Sequence, residues 1–180
     1  MSEFARYARK KTMDRIAKLK SSEREELFIT TSHDMKLPEA MTEKDFWVCW
    51  TLYYLFSKSP WADRMAFKGG TSLSKCYGLI ERFSEDIDLI LDWRVLGFSD
   101  IYPWEERSKT SQDKLNKEMD AKTATFLSEV FLPTLKEDFS HLLSSRMNFI
   151  LRMTSHKRSA LLIHVFSKTL LFFGFRKLIF

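Results

Sequence analysis

Six residues, Asp86-Ile87-Asp88-Leu89-Ile90-Leu91, constrain this chain more than any other stretch. Read as an extended strand, they put Ile87, Leu89 and Leu91 on one side and Asp86 and Asp88 on the other, because side chains alternate across a strand. The apolar side demands a hydrophobic layer against it. The acidic side brings two like charges together, which is unfavourable unless a cation sits between them.

The neighbouring segments supply partners for such a strand. Residues 64–70, RMAFKGG, read as a short strand ending in a turn. From Thr71 the apolar positions Leu73, Cys76, Tyr77 and Ile80 recur at helical spacing, which predicts a helix with those residues on one face. Residues 41–58 read as a helix buried over most of its surface through Trp47, Trp50, Tyr54 and the aliphatics between them. Thr42 is its expected N-cap, and Asp45, three residues on, completes a variant of the capping box. Residues 3–20 read as a basic helix, continued over 21–30 after a break at Ser21-Ser22. The stretch 94–104, with Gly97 and Pro103, predicts a loop. Residues 105–144 predict a long polar, then amphipathic, helical region broken at Pro133. Residues 147–153 and 160–166 read as two further strands. This order predicts an α/β (α+β) domain, a small mixed sheet flanked by helices. One domain is expected over 1–180, with a helical basic part at 1–40, a core at 41–167 and an atypical tail at 168–180.

Charge is distributed unevenly. The net charge is only +5, yet residues 1–20 hold seven Lys or Arg against Glu3 and Asp14, and residues 139–180 hold seven with no Asp or Glu. Two basic ends around an acidic middle suit an anionic partner such as nucleic acid, though solvated helix faces have the same composition. Hydrophobic residues make up 44% and aromatics 14%, enough for a substantial core. Cys49 and Cys76 lack CxxC spacing and read as small core residues in a reducing compartment. The charged start lacks the apolar region of a signal peptide. Lys168, Arg176 and Lys177 interrupt the apolar tail short of a membrane span. A cytoplasmic protein without membrane contact is the expectation.

The chemistry centres on residues 68–92. Asp86 and Asp88 are about 6.6 Å apart along a strand, close enough to converge on one or two divalent ions. Asp92 lies about 13 Å beyond Asp88 and is too far to share an ion. Mg²⁺ takes one or two carboxylates and fills its shell with water and phosphate oxygens. Gly69-Gly70 before Thr71-Ser72 lets a backbone approach a phosphate at a helix start, with Lys68 and Lys75 as nearby cations. There is neither a GK[ST] nor a GxGxxG. A glycine pair alone reads equally as a plain turn, and Asp-Ile-Asp alone as a capped strand start. Strand, glycine turn, helix and acidic strand in succession make those plain readings weaker. His33, His141, His156 and His164 are scattered, without HxxxH spacing or Cys partners, and read as ordinary surface or core residues. Residues 156–159, HKRS, read as a solvated turn or an RNA phosphate contact.

Together "FKGGTSLSK" and "RFSEDIDLIL" resemble the signature of nucleotidyltransferases with the polymerase-β-type minimal fold, and more narrowly the AbiEii/MenT group of toxins from type IV toxin–antitoxin and abortive-infection systems. The resemblance covers residues 43–92 closely and 105–167 loosely. It implies transfer of a nucleotidyl group from an NTP to an RNA, in some relatives the 3′ end of tRNA, or to a protein, with Mg²⁺ or Mn²⁺ and a cognate antitoxin partner. It implies that Asp86 and Asp88 bind metal and act in catalysis. It also implies that Gly69, Gly70, Thr71 and Ser72 cradle the triphosphate, that Lys68 and Lys75 neutralise phosphates, and that Arg82 and Ser84 support the pocket. The superfamily supplies a third carboxylate from a later strand; residues 160–166 contain none, and nothing acidic follows Asp138. A C-terminally truncated, catalytically impaired member is therefore expected. Two other readings stay open: a relative that only binds NTP or antitoxin, and a small basic RNA-binding domain.

Overall fold

The computed structural model describes residues 12–80, 86–101, 104–143, 150–156 and 160–166, the last two stretches as backbone strands. A helix, α1, is described over 12–17. It is followed by α2 (Ser21–Met35), α3 (Glu39–Ser57), β1 (Met65–Lys68), α4 (Gly69–Lys75) and β2 (Asp86–Leu91). The second half comprises α5 (Lys109–Phe126), a π turn (Leu127–Phe131), α6 (Leu132–Leu142), β3 (Ile150–His156) and β4 (Ala160–Phe166).

The four strands form one sheet in the order β1-β2-β4-β3. Every described pairing is antiparallel, so the sheet is not the mixed one expected, although the α+β class stands. The register explains the difference. Lys68, at the end of β1, faces Asp88 near the start of β2, so the connection leaves and re-enters the sheet at the same end. A seven-residue helix spans about 10 Å and bridges that end instead of carrying the chain back along a face.

The apolar side of β2 forms the floor of the core. Ile87 and Leu89 are fully buried with Trp47, Val48, Trp50, Tyr54 and Leu55 of α3, with Phe131 at the end of the π turn and with Leu135 of α6. Trp50 meets Trp47 and Phe139 edge to face, at 5.9 and 4.9 Å between centroids. Its indole N–H donates to Asp14 at 3.3 Å, and Asp14 also pairs with Lys58 at 2.7 Å, fastening α1 to the middle of α3 and to the residue that caps its C-terminus. The Tyr54 hydroxyl donates to Asp138 of α6; burial first, then that carboxylate, push the phenol well above its ordinary pKa. A smaller cluster of Leu91, Leu96, Phe98 and Leu115 continues the core towards α5.

Several local expectations are corrected. α3 starts at Glu39 with Pro38 in the cap position, so Thr42 lies inside the helix, where its hydroxyl donates to the Pro38 carbonyl. Pro38 fixes the entry one turn earlier than the polar side chains indicated, and Asp45 is freed for a distant partner. Pro133 does not break the long helix: it sits in the first turn of α6, directly after the π turn. The wider turn lets Leu132 donate to Leu127, five residues back, and absorbs the missing amide and ring clash that proline brings. Helix α4 buries Thr71 and Ser72, while Leu73 and Tyr77 are exposed, the reverse of its apolar spacing. Its hydroxyl side packs on β2, and the helix ends before Cys76, which is exposed and no core residue. The expected break at Ser21-Ser22 comes slightly earlier, over residues 18–20, and Ser21 opens α2. Of the expected helix at 3–20, residues 3–11 lie outside the described residues.

Trp50→Ala removes an indole that touches three aromatic rings and should lower stability by about 3–5 kcal/mol, measured by urea unfolding. Trp50→Phe keeps the ring stacking and should cost clearly less.

Candidate active site

The antiparallel register divides the sheet into two unlike faces. Residues directly opposite one another share a face. Lys68, Asp88, Leu162 and Thr154 form one row across β1, β2, β4 and β3. Asp86, His164 and Arg152 form the next row on the same face. Phe67, Leu89 and Leu161 stand opposite one another on the other face, as do Ile87, Ile163 and Met153. Burial of Ile87 and Leu89 under α3 leaves Asp86 and Asp88 half-exposed on the first face, beside exposed Lys68. The two expected carboxylates are therefore brought together, and the expected cation flanks them.

The glycine turn closes directly on this pair. Gly69 follows β1 with φ +78°, in the left-handed region that favours glycine, and a Cβ placed there would stand 2.2 Å from Oδ2 of Asp88. No side chain fits between this backbone and the carboxylate. Gly70 has no such constraint: its φ is not positive, and a Cβ would meet only the end of Ile80 at 3.9 Å. Thr71 is buried and donates its hydroxyl to the backbone carbonyl of Asp86 at 2.7 Å, pinning α4 to the start of the acidic strand. Ser72 is buried beside it. Lys75 points elsewhere and pairs with Asp45 of α3. Arg82 and Ser84 lie outside the described residues.

Asp92 is committed to another structure. It accepts hydrogen bonds from the Arg94 backbone and guanidinium at 2.9 Å and from Arg64 at 3.4 Å. Chiefly because of the Arg94 side chain, its carboxyl is held down to about 2. Among the described residues no group of three or more His, Cys, Asp or Glu side chains is arranged around a metal position. The donor set at the head of β2 is thus two carboxylates. Oxygen donors of this kind fit Mg²⁺ or Mn²⁺, which need few protein ligands and complete their shells with water and phosphate. His164 of β4 stands opposite Asp86 in the register.

A family model described as the nucleotidyl transferase AbiEii toxin of type IV toxin–antitoxin systems matches residues 50–164. The match runs from within α3 to within β4 and includes residues 68–88 of the candidate site. No curated protein and no solved structure gave a match. Among the described residues, no helix is long and apolar enough to cross a membrane.

The two glycines should respond oppositely to the same change. Gly69→Ala forces a left-handed alanine against Asp88 and should cost about 1–3 kcal/mol while displacing the carboxylate. Gly70→Ala should leave stability unchanged or raise it by up to about 1 kcal/mol. Thermal unfolding of the two variants beside the parent checks the contrast.

Proposed function

The chain belongs to the AbiEii nucleotidyltransferase toxin family of type IV toxin–antitoxin systems, and from that premise we propose that it transfers a nucleotidyl group from an NTP to an RNA, such as the 3′ end of a tRNA. The observation that carries this reading is the pairing of Asp86 and Asp88 on one face of the sheet, with the Gly69 backbone closed against Asp88. In the reaction the acceptor hydroxyl oxygen bonds to the α-phosphorus, the bond to the bridging oxygen breaks, pyrophosphate leaves, and the hydroxyl proton passes to solvent.

Asp86 and Asp88 would hold Mg²⁺ or Mn²⁺, which when bound offsets charge on the α-phosphate and on the leaving pyrophosphate. Lys68, exposed and in register with Asp88, would meet the triphosphate as a point charge. Gly69 and Gly70 would let it approach the backbone. Thr71 would support this cradle by pinning α4 to β2, with Ser72 buried beside it. Lys75 is assigned a lesser part, because its ammonium is already paired with Asp45. Arg82 and Ser84 would support the pocket from the segment before β2. The basic ends of the chain favour RNA as the acceptor over an acidic protein surface. A cognate antitoxin and a cytoplasmic setting complete the proposal.

A second reading is favoured by β4. The residues facing Asp86 and Asp88 there are His164 and Leu162, neither of them an acid. A relative that binds NTP and metal without transferring the nucleotide fits that feature.

Incubation with each labelled NTP, total tRNA and Mg²⁺ or Mn²⁺ separates the readings. Labelled RNA that falls to background in Asp86→Asn and in Asp88→Asn is the expected result. Metal-dependent NTP binding without labelled RNA supports the second reading. Variants as active as the parent would dismiss the carboxylate site.

A further inference from the structure

Helix α4 carries the glycine turn, yet little in its own sequence holds it in place. Gly69-Gly70-Thr71-Ser72-Leu73-Ser74-Lys75 is too short and too poor in helix formers to be stable alone. Its one aliphatic side chain, Leu73, is 41% exposed, and Cys76, which caps it, is exposed as well. Apolar burial therefore does not fix its position. Among the described residues, two side-chain contacts tie α4 to other elements: Thr71 to the backbone carbonyl of Asp86, and Lys75 to Asp45 of α3. These anchors lie four residues apart, about 6 Å along the helix axis. Gly69 lies two residues from Thr71 in the other direction. The helix is thus a lever, with Thr71 as its pivot, Lys75 at one end and the backbone that abuts Asp88 at the other. Asp45 is a firm point to hold it from, because Trp47 and Val48 close by on α3 are fully buried in the core.

We propose that Asp45 is a positioning residue for the nucleotide site: by holding Lys75 it sets the tilt of α4, and so keeps the Gly69 backbone at Asp88, where the triphosphate of a metal-bound NTP meets it. The proposal rests on the two-carboxylate reading above and adds to it a residue from outside the site. Asp45 acts through Lys75 and α4 and touches no reacting atom. Lys75 then serves as a strut and not as a phosphate ligand. The pair is only half-buried, so it contributes little to global stability, and its effect falls on the geometry of the turn.

The test uses the full chain, with calorimetric titration of each of the four NTPs in the presence of Mg²⁺. Asp45→Asn and Lys75→Met should each weaken metal-dependent NTP binding about fivefold or more, and the double variant should lose no more than either single one, since both changes release the same end of α4. Asp45→Glu, which keeps the carboxylate, should bind within about twofold of the parent. The melting temperature should shift by no more than about 4 °C in either single variant. Parental affinity in Asp45→Asn overturns the proposal, and so does a double variant whose losses add. A loss confined to Lys75→Met shows Lys75 meeting phosphate directly and overturns it too. Should Asp45→Asn not fold, the exchange of both charges, Asp45→Lys with Lys75→Asp, decides: restored NTP binding supports the strut, and a folded exchange variant without binding overturns it. Asp86→Asn and Asp88→Asn serve as controls. If they lose the nucleotide while Asp45→Asn keeps it, the proposal alone falls; if they bind Mg²⁺ and NTP as the parent does, the carboxylate reading fails and takes the proposal with it.

Discussion

Ile87, Leu89 and Leu91 are held almost without exposure in the apolar clusters of the molecule, and that anchoring leaves Asp86 and Asp88 no choice of face. A slip of one residue in β2 would bury both carboxylates under Trp47 and Phe131 and expose three aliphatic side chains. The hydrophobic free energy that fixes the register is therefore what brings two like charges together. Burying a Leu or Ile side chain contributes about 1.5–3 kcal/mol, and three of them outweigh the repulsion of two half-exposed carboxylates in high dielectric.

The remaining parts of the site hang from that strand by polar contacts. Thr71 fixes α4 to the backbone of Asp86, and the Lys75–Asp45 pair returns the end of α4 to α3. Gly69 follows as a geometric consequence: with both ends of α4 tied down, the turn before it passes too close to Asp88 for any side chain. The aromatic body of α3, the acidic strand and the glycine turn thus form one connected unit.

Strands were readable in the sequence where two-residue alternation and β-branched or apolar runs coincided. β2 spans the six residues of DIDLIL and β4 the seven of ALLIHVF. The buried helix of Trp47, Trp50 and Tyr54 was equally plain. What failed were readings that depend on partners distant in sequence. Thr42 looks like a cap until Pro38 is seen to start the helix earlier, and Asp45 looks like its helper until Lys75 claims it. The apolar spacing of Leu73 and Tyr77 points to a buried face, but the sheet end beside α4 offers Thr71 a backbone carbonyl and buries Ser72 beside it. Asp86 and Asp88 were visible because both belong to one strand. The position of His164 needed the pairing of two strands more than seventy residues apart, which no local pattern encodes.

β1 has only four ladder positions and lies at the edge of the described sheet. Such a strand opens locally at a small fraction of the free energy needed to unfold the whole molecule. Each opening withdraws Gly69 from Asp88 and undoes the wall on one side of the carboxylates, while the aromatic core stays intact. The lifetime of a formed site is thus set by the fraying of one short edge, and exchange of the Ala66 amide, which points into the ladder, would track it more faithfully than any melting temperature.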